Sequence, residues 1–584
     1  MPIIESPNIN ENSLCIFIPS AENLTLENAR RLTGPGLLWK YPGAALDVFF
    51  HDINVEHLIK VWKKEARRVL DAIGWQNQHI IDRCFDCGVN LGISAPMDQL
   101  YSAVFAAQTA WHFCASELLK QPSGEFEDMI SDLKSVMEQE ANPRLIALIK
   151  AAEVHDVDIL IDTEELSLGH GKGSKTWPTN NLPSPENINW QLLYDIPVAL
   201  ITGTNGKTTT ARLCNAIGSA SGLVAGLTST EFVRVGDDIL DYGDYSGPAG
   251  GRMLLRDPRL EIAYLEVARG GILRRGLPLR QAKVALVTNV AADHLGNYGV
   301  NTVEDLAIVK FSVHRTLVKD GLLVLNADDE LVVAEASRTK TKLCWFSLNP
   351  DKPQIIIAKN KGVPCAWLEK STLIFFDGKK TESVINVQDI PIAMGGAAQY
   401  NIRNALGAIC ISRALGLNND AIHTGLSQFK SNPKDNPGRC NEFSVNGARV
   451  FVDFAHNPHS ISAVAETMAS IPAKKRFVLM GIGGDRSDQD IRNATNSALS
   501  LHPDYLVVVE LPQYLRGRKL GDVSRIIKEQ GYDFGLNTEQ VITAGSPVEG
   551  TAEVLRKLQP GDLALLLVLA DREQVFRLIE QSSN

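Results

Sequence analysis

Residues Gly203, Thr204, Asn205, Gly206, Lys207, Thr208 and Thr209 form the run GTNGKTT, the stretch richest in chemistry along this chain. Glycines let backbone N–H groups close on an anion, and a helix that begins there adds partial positive charge. A lysine at this place reaches the outer phosphates of a nucleotide, and a threonine hydroxyl can hold Mg²⁺. The spacing is shorter than G-x-x-x-x-G-K-[ST], since position 201 is isoleucine. A tight turn between a strand and a helix would also use the glycines. The lysine and the threonine triplet 208–210 favour nucleotide binding over that plainer explanation.

The elements around this run can position it. Residues 198–201 read as a buried apolar strand, and a helix is expected from Lys207 to about Ala220. Residues 262–267 form a second strand with Glu266 near its end; residues 284–290 form a third, followed closely by Asp293 and His294. In a doubly wound α/β sheet, ligands sit outside the carboxyl ends of the strands. That rule gathers Lys207, Glu266 and His294 at one sheet edge, where Glu and His suit Mg²⁺ directly or through water. Thr302 to Asp305 caps a helix reaching to about Val318, with Leu306, Val309, Val313 and Leu317 as its apolar stripe. Lys310 lies at the border of that stripe, where a lysine ordinarily snorkels to solvent. Asn401 and Asn404 open a helix over 395–415; they suit base or ribose hydrogen bonding, or simple capping. Further on, strands at 449–454, 477–481, 505–510 and 563–569 alternate with helices, which predicts a second parallel-sheet unit. Asp453, His456 and Asn457 follow one of these strands, and Gly484, Asp485 and Arg486 follow the next. No G-x-G-x-x-G follows a strand there, so a separate dinucleotide site is not expected.

Length and composition set outer bounds. The chain of 584 residues is 44% hydrophobic and 22% charged, which suits about three or four domains. A net charge of −10 leaves no basic surplus for nucleic acid. No apolar run reaches the roughly 20 residues of a membrane span, and the opening MPIIESPNIN is not a secretory signal. Cys84 and Cys87 are the one close pair among nine cysteines, weak evidence for metal or redox chemistry. A cytoplasmic protein with reduced thiols is expected. Residues 1–165 form a first, α+β unit. Within it 14–18 and 44–50 read as strands, 21–32 as helix-compatible, and 55–73 and 100–119 as helices. Residues 166–190 lose periodicity and read as a linker that includes GHGKGSK; 191–430 and 438–584 are the two α/β units.

The ordered set GTNGKTT, Glu266, Asp293-His294, Lys310, Asn401/Asn404, Pro437-Gly438-Arg439 and DFAHNP (453–458) resembles the Mur ligase family of ATP-dependent amide-forming ligases. More narrowly, GDYSGPAGGRMLLRDP (243–258) and LEVARGGILRRGL (265–277) are similar to the Mur-like part of the cyanophycin synthetases, and RRLTGPGLLW (30–39) to their N-terminal domain. Those enzymes carry an ATP-grasp domain between the two parts; here LSLGHGKGSKTW (166–177) is similar to its beginning, and no room is left for the rest. Gln399-Tyr400 stands where the family usually has a His, and Phe454 where it usually has Tyr. The resemblance implies a P-loop-containing central parallel-sheet domain and a Rossmann-like last domain. It implies ATP and Mg²⁺ as cofactors and small amino acid or peptide substrates, with no nucleic-acid or membrane partner; a homo-oligomer is compatible with it. It makes Lys207, Glu266, His294 and Lys310 catalytic, with Lys310 carbamylated, and Thr208, Glu266, His294 and Lys310 the metal-holding set. Asn401, Asn404, Arg439 and Asp453 join Gly203–Thr209 around ATP, and His456, Asn457, Gly484, Asp485 and Arg486 face the substrate. The implied reaction is ADP-forming amide ligation through an acyl phosphate, one type of bond per site and so without polymerisation. A small-molecule kinase and a non-catalytic regulator are the alternatives.

Overall fold

The computed structural model describes residues 10–582. Its first unit has a four-stranded antiparallel sheet in the order Leu24–Leu32, Gly43–Phe50, Gly88–Ser94, Ile80–Phe85. The amphipathic helix Val55–Ala72 and the apolar helix Leu100–Leu119 pack with this sheet around Trp62 and Trp111, both fully buried. Residues 24–32 are therefore strand, not helix. Pairing with Gly43–Phe50 overrides the helix-compatible composition, and the pairing buries Arg30 against Asp47. Residues 14–18 carry no strand; Leu14, Ile16 and Ile18 pack on the core from irregular chain.

The segment 166–190 is folded onto its neighbours. Glu165–Leu168 and Lys175–Pro178 pair antiparallel with each other and with Ile159–Ile161 in a small sheet. Between them His170 is fully buried, 3.5 Å from Asp158 and 3.6 Å from Asp195. Glycine and polar residues here serve close packing in a short sheet, and the weak periodicity reflects strands only three or four residues long.

The central sheet has eleven strands. Its parallel part runs Ala225–Thr228, Ile262–Glu266, Val198–Thr202, Ala282–Val287, Leu317–Asn326, Lys342–Ser347, Cys365–Glu369, with antiparallel hairpin strands at both edges. Val198–Thr202 lies in the middle and is buried throughout, as a parallel strand covered on both faces must be. The two faces form separate apolar cores, one with Lys207–Ala220 and Gln399–Ala414, the other with Val303–Phe311. The last unit has a six-stranded sheet in the order Asn441–Val445, Ala448–Asp453, Leu563–Leu567, Arg476–Met480, Tyr505–Val509, Val541–Ala544; all pairs but the first are parallel. No helix among the described residues is long and apolar enough to cross a membrane.

Candidate functional site

Register decides which side chains meet. Ile262–Glu266 and Ala282–Val287 flank Val198–Thr202 in parallel, with Glu266 opposite Ile201 and Val287 opposite Thr202. All three strands end at one level, and the loop 203–206 leaves the sheet between the two flanking strands. Gly203 has φ +147° and a Cβ there would collide with Thr288; Gly206 has φ +85° and a Cβ would collide with the Asn404 carboxamide. Both positions exclude side chains, which is why the loop is glycine-bounded. Asn289 holds the loop from the next strand: Asn205 N–H donates to its Oδ1 at 2.9 Å, and its Nδ2 donates to the Asn205 carbonyl at 2.9 Å. Lys207 Nζ donates to the Thr204 carbonyl at 2.8 Å, across the mouth of the loop.

Under the loop, Thr208 Oγ1 donates to Glu266 Oε2 at 2.8 Å, while Glu266 Oε1 is buried with no partner. Burial pushes the Glu266 carboxyl up; the Lys207 ammonium works against it. A buried carboxylate oxygen left without a donor is costly, and such an orphan beside a hydroxyl is the donor set a hard divalent cation takes. Lys310 is also buried, not snorkelling: it is 3% exposed. Burial drives its amine well below the usual lysine range, and the Lys207 cation adds to the shift.

His294 lies in the loop that follows strand Ala282–Val287. It forms a group with Asp293 and His456 whose ligating atoms lie within 4.8 Å of one another. Arg486 from the last unit reaches into this group, 2.9 Å from Asp293 Oδ1 and 3.2 Å from His294 Nε2. Burial, with Arg486 and Arg269 nearby, lowers His294 to about 4 despite Asp293. Asp485 lies 3.8 Å from His294 and pairs with Arg516, and Gly484 N–H donates to the Tyr514 carbonyl at 2.8 Å. Of the four metal-holding residues expected from the sequence, Thr208 at the start of its helix bonds Glu266 at the end of its strand, His294 groups with Asp293 and His456, and buried Lys310 feels the charges of Lys207 and Asp293.

A cleft of about 680 Å³ opens between the central and last units above the loop. Asn401, Asn404, Arg439, Asp453 and His456 line it with Gly206–Thr210 and Glu266. Asn404 Nδ2 donates to Asn401 Oδ1 at 3.2 Å, and Asn401 Nδ2 to the Ile392 carbonyl at 2.9 Å, so both are fixed by side-chain bonds. Asp453 accepts backbone N–H bonds from Cys440 and Ala455, each 2.7 Å, which makes it a support for the cleft wall. Asn457 caps the helix Pro458–Ala469 and exchanges carboxamide bonds with Asn205 at 3.0 and 3.3 Å. That contact ties the phosphate loop to the last unit.

Several residues outside the expected site set matter here. Asp293 was visible beside His294 and belongs to the same group. Asn289 carries no motif, yet it pins the loop. Glu231 pairs with Arg212 at 2.6 Å and with Arg572 at 2.7 Å, 341 residues away. No local signal could have joined those positions.

Residues 201–412 match the Mur ligase middle domain, and residues 438–567 match the Mur ligase glutamate ligase domain. The chain is 37% identical over 371 residues to a cyanophycin synthetase of Trichormus variabilis, which is 62% of this chain and 41% of that protein. To the cyanophycin synthetase of Crocosphaera subtropica it is 39% identical over 332 residues, 57% and 38% of the two chains. The chain spans about two fifths of the length of these curated relatives. Among solved structures, Escherichia coli FolC in complex with ADP is similar with a TM-score of 0.48 and 18% identity, covering 66% of this chain and 89% of that one. With the phosphate loop, the paired α/β sheets and the matched domains in the order found here, the chain belongs to the Mur ligase family.

Proposed function

We propose that this protein is an ATP-dependent, ADP-forming ligase that joins an amino acid to the carboxylate of a small acid, amino acid or short peptide. The observation that carries this reading is the orphaned Glu266 oxygen beside Thr208, under a glycine-bounded loop in an inter-unit cleft. Phosphoryl transfer needs positioning and charge stabilisation rather than covalent help from the protein. Backbone N–H groups of residues 206–208 would cradle the phosphates, and Lys207, released from the Thr204 carbonyl, would follow the transferring group. Mg²⁺ held by Thr208 and Glu266 would supply charge neutralisation there. A substrate carboxylate attacks the γ-phosphate, giving an acyl phosphate and ADP; an amine then displaces phosphate and forms the amide. The last unit would shield the acyl phosphate from water, because Asn457 on Asn205 and Arg486 on Asp293 close the cleft from two sides. His456, Asn457, Gly484, Asp485 and Arg486 would face the substrates, and Lys310, neutral when buried, is suited to carbamylation.

The amide formed belongs to one acid and one amine, without polymerisation, since one phosphate loop activates one type of bond. The test is ADP release over pairs of amino acids and dipeptides, with mass spectrometry of the products. A discrete amide of dipeptide or tripeptide size is expected. ADP with a stable phosphorylated product and no amide would instead make the protein a kinase, and a ladder of long products would overturn the single-bond reading. No turnover with any pair would leave a non-catalytic regulator.

A further inference from the structure

The first unit has no place in the chemistry above, yet it grips the loop that carries Asp293 and His294. That loop is unusual in its backbone. His294 and Tyr298 have φ of +50° and +56°, and Gly296 and Gly299 have φ of +92° and +70°. Non-glycine residues in the left-handed region are strained and persist only where their surroundings hold them. The loop's own hydrogen bonds are few: Gly296 N–H to the Val300 carbonyl and Val300 N–H to the Asn297 carbonyl.

Its near end is held by Arg269, which donates to the His294 carbonyl, by Thr204, which exchanges bonds with Ala291, and by Arg486; its far end is held by the hairpin Ile80–Phe85/Gly88–Ser94. Arg83 pairs with Asp305 and donates to the Gly299 carbonyl at 3.0 Å. Its partner on the hairpin, Asn90, accepts from Arg83 at 3.0 Å and reaches the Tyr298 carbonyl at 3.4 Å. Phe85 covers Gly299 so closely that a Cβ there would overlap its ring, and Asn301 donates to the Asp86 carbonyl at 3.2 Å. The guanidinium of Arg30 lies 4.9 Å from the centre of the Tyr298 ring. Asp305 is also the residue that closes the capping box of helix Val303–Phe311, on which Lys310 sits. Arg83 thus holds the far end of the His294 loop and the first turn of the Lys310 helix at once. Both Arg83 and Asp305 are largely buried, at 16% and 19% exposure, where an ion pair is less screened than at the surface.

We infer that Arg83, at the edge of the first unit's sheet, is a positioning residue for the loop bearing Asp293 and His294 and for the helix bearing Lys310. The first unit is then a brace for the ligase site. The inference rests on the proposed role of that site for its catalytic consequence, and on these contacts alone for its structural one.

The test is Arg83→Met in the full chain, read by hydrogen exchange and by kinetics. Amide exchange over 291–301 is expected to rise about tenfold or more, while exchange over 203–209 stays at the wild-type rate. In the ligase assay kcat is expected to fall by about tenfold or more with KM for ATP held within about twofold, because the phosphate loop is not touched. Arg83→Lys, which keeps the charge facing Asp305, is expected to recover part of both effects. If Arg83→Met does not fold, Arg83→Lys is judged by the same exchange ratio between the two segments. Unchanged exchange over 291–301, or an equal rise over both segments, overturns the inference. Loosening of 291–301 in a chain with no ligase activity would sustain the brace and reject the proposed function; wild-type activity with unchanged exchange would do the reverse.

Discussion

Glu231→Gln removes the one anion shared by Arg212, Arg572 and Arg439 at the junction of the central and last units. The pair distances are 2.6, 2.7 and 3.9 Å, and Arg212 is fully buried. Burial alone would push the Glu231 carboxyl up; Arg212, then Arg439 and Arg572, outweigh it and hold it down at about 2, against the ordinary 4.5 of a glutamate. That lowering corresponds to about 3 kcal/mol of folding stability near neutral pH. The sign follows from linkage. The folded pKa lies below the unfolded one, so the contribution is complete above about pH 4.5 and is lost as pH falls toward 2. Because Glu231 is only 13% exposed, solvent screening takes little from that figure. The assay is equilibrium urea unfolding of wild type and variant at pH 7 and pH 3, taken as a difference so that other carboxylates cancel. The variant is expected to be about 3 kcal/mol less stable at pH 7, and about 1 kcal/mol less stable at pH 3, where Glu231 of the unfolded chain is already protonated while the folded one stays ionised. A difference below about 1 kcal/mol at pH 7, or one that does not shrink on acidification, would refute the reasoning. It would mean that the arginines are satisfied by solvent and that Glu231 does not join the units.

Lys207→Ala is expected to abolish ADP formation, by about 10³-fold or more, and turnover within about tenfold of wild type would reject its role as phosphate clamp. Lys310→Met is expected to remove ligase activity while leaving the melting temperature unchanged or higher, because a buried amine is replaced by an apolar side chain of similar length; a clear loss of stability would contradict the burial argument. Lys310→Ala activity partly restored by short carboxylates or bicarbonate would support carbamylation, and activity of wild type unaffected by CO₂ removal would count against it. His294 is lowered to about 4 from 6.5. It therefore stays neutral from mildly acidic pH upward, and its effect is to make the folded state less stable as pH falls through that window. The rate is expected to show no inflection near pH 6.5 that His294→Gln removes, and such an inflection would show that His294 is protonated in the working site.

Much of the site could be read along the chain because its parts are local. A glycine, a lysine and a threonine within seven residues are brought together by one turn, and GTNGKTT could be read as a phosphate loop without tertiary information. Strand ends were equally legible: Glu266 closes one apolar run and His294 follows another by a few residues, and parallel sheets present such ends on one side. Capping at Thr302 was visible for the same reason, since the side chain and the amide it caps are three residues apart. Residues 24–32 show the opposite case. Their composition allows a helix, and only a partner strand at 43–50 makes them a strand. The segment 166–190 likewise looked like a tether because its strands are too short to carry a period. What tertiary structure alone decided is which charges face one another. Parallel pairing put Glu266 beside the start of the helix Lys207–Ala220, where Thr208 meets it, and packing buried Lys310, whose position at the edge of an apolar stripe suits exposure equally well. The contacts of Arg83 with Asp305 and of Glu231 with Arg572 join residues hundreds of positions apart, and neither pair leaves a pattern along the chain, since a charged side chain is the same letter whether it meets water or a partner.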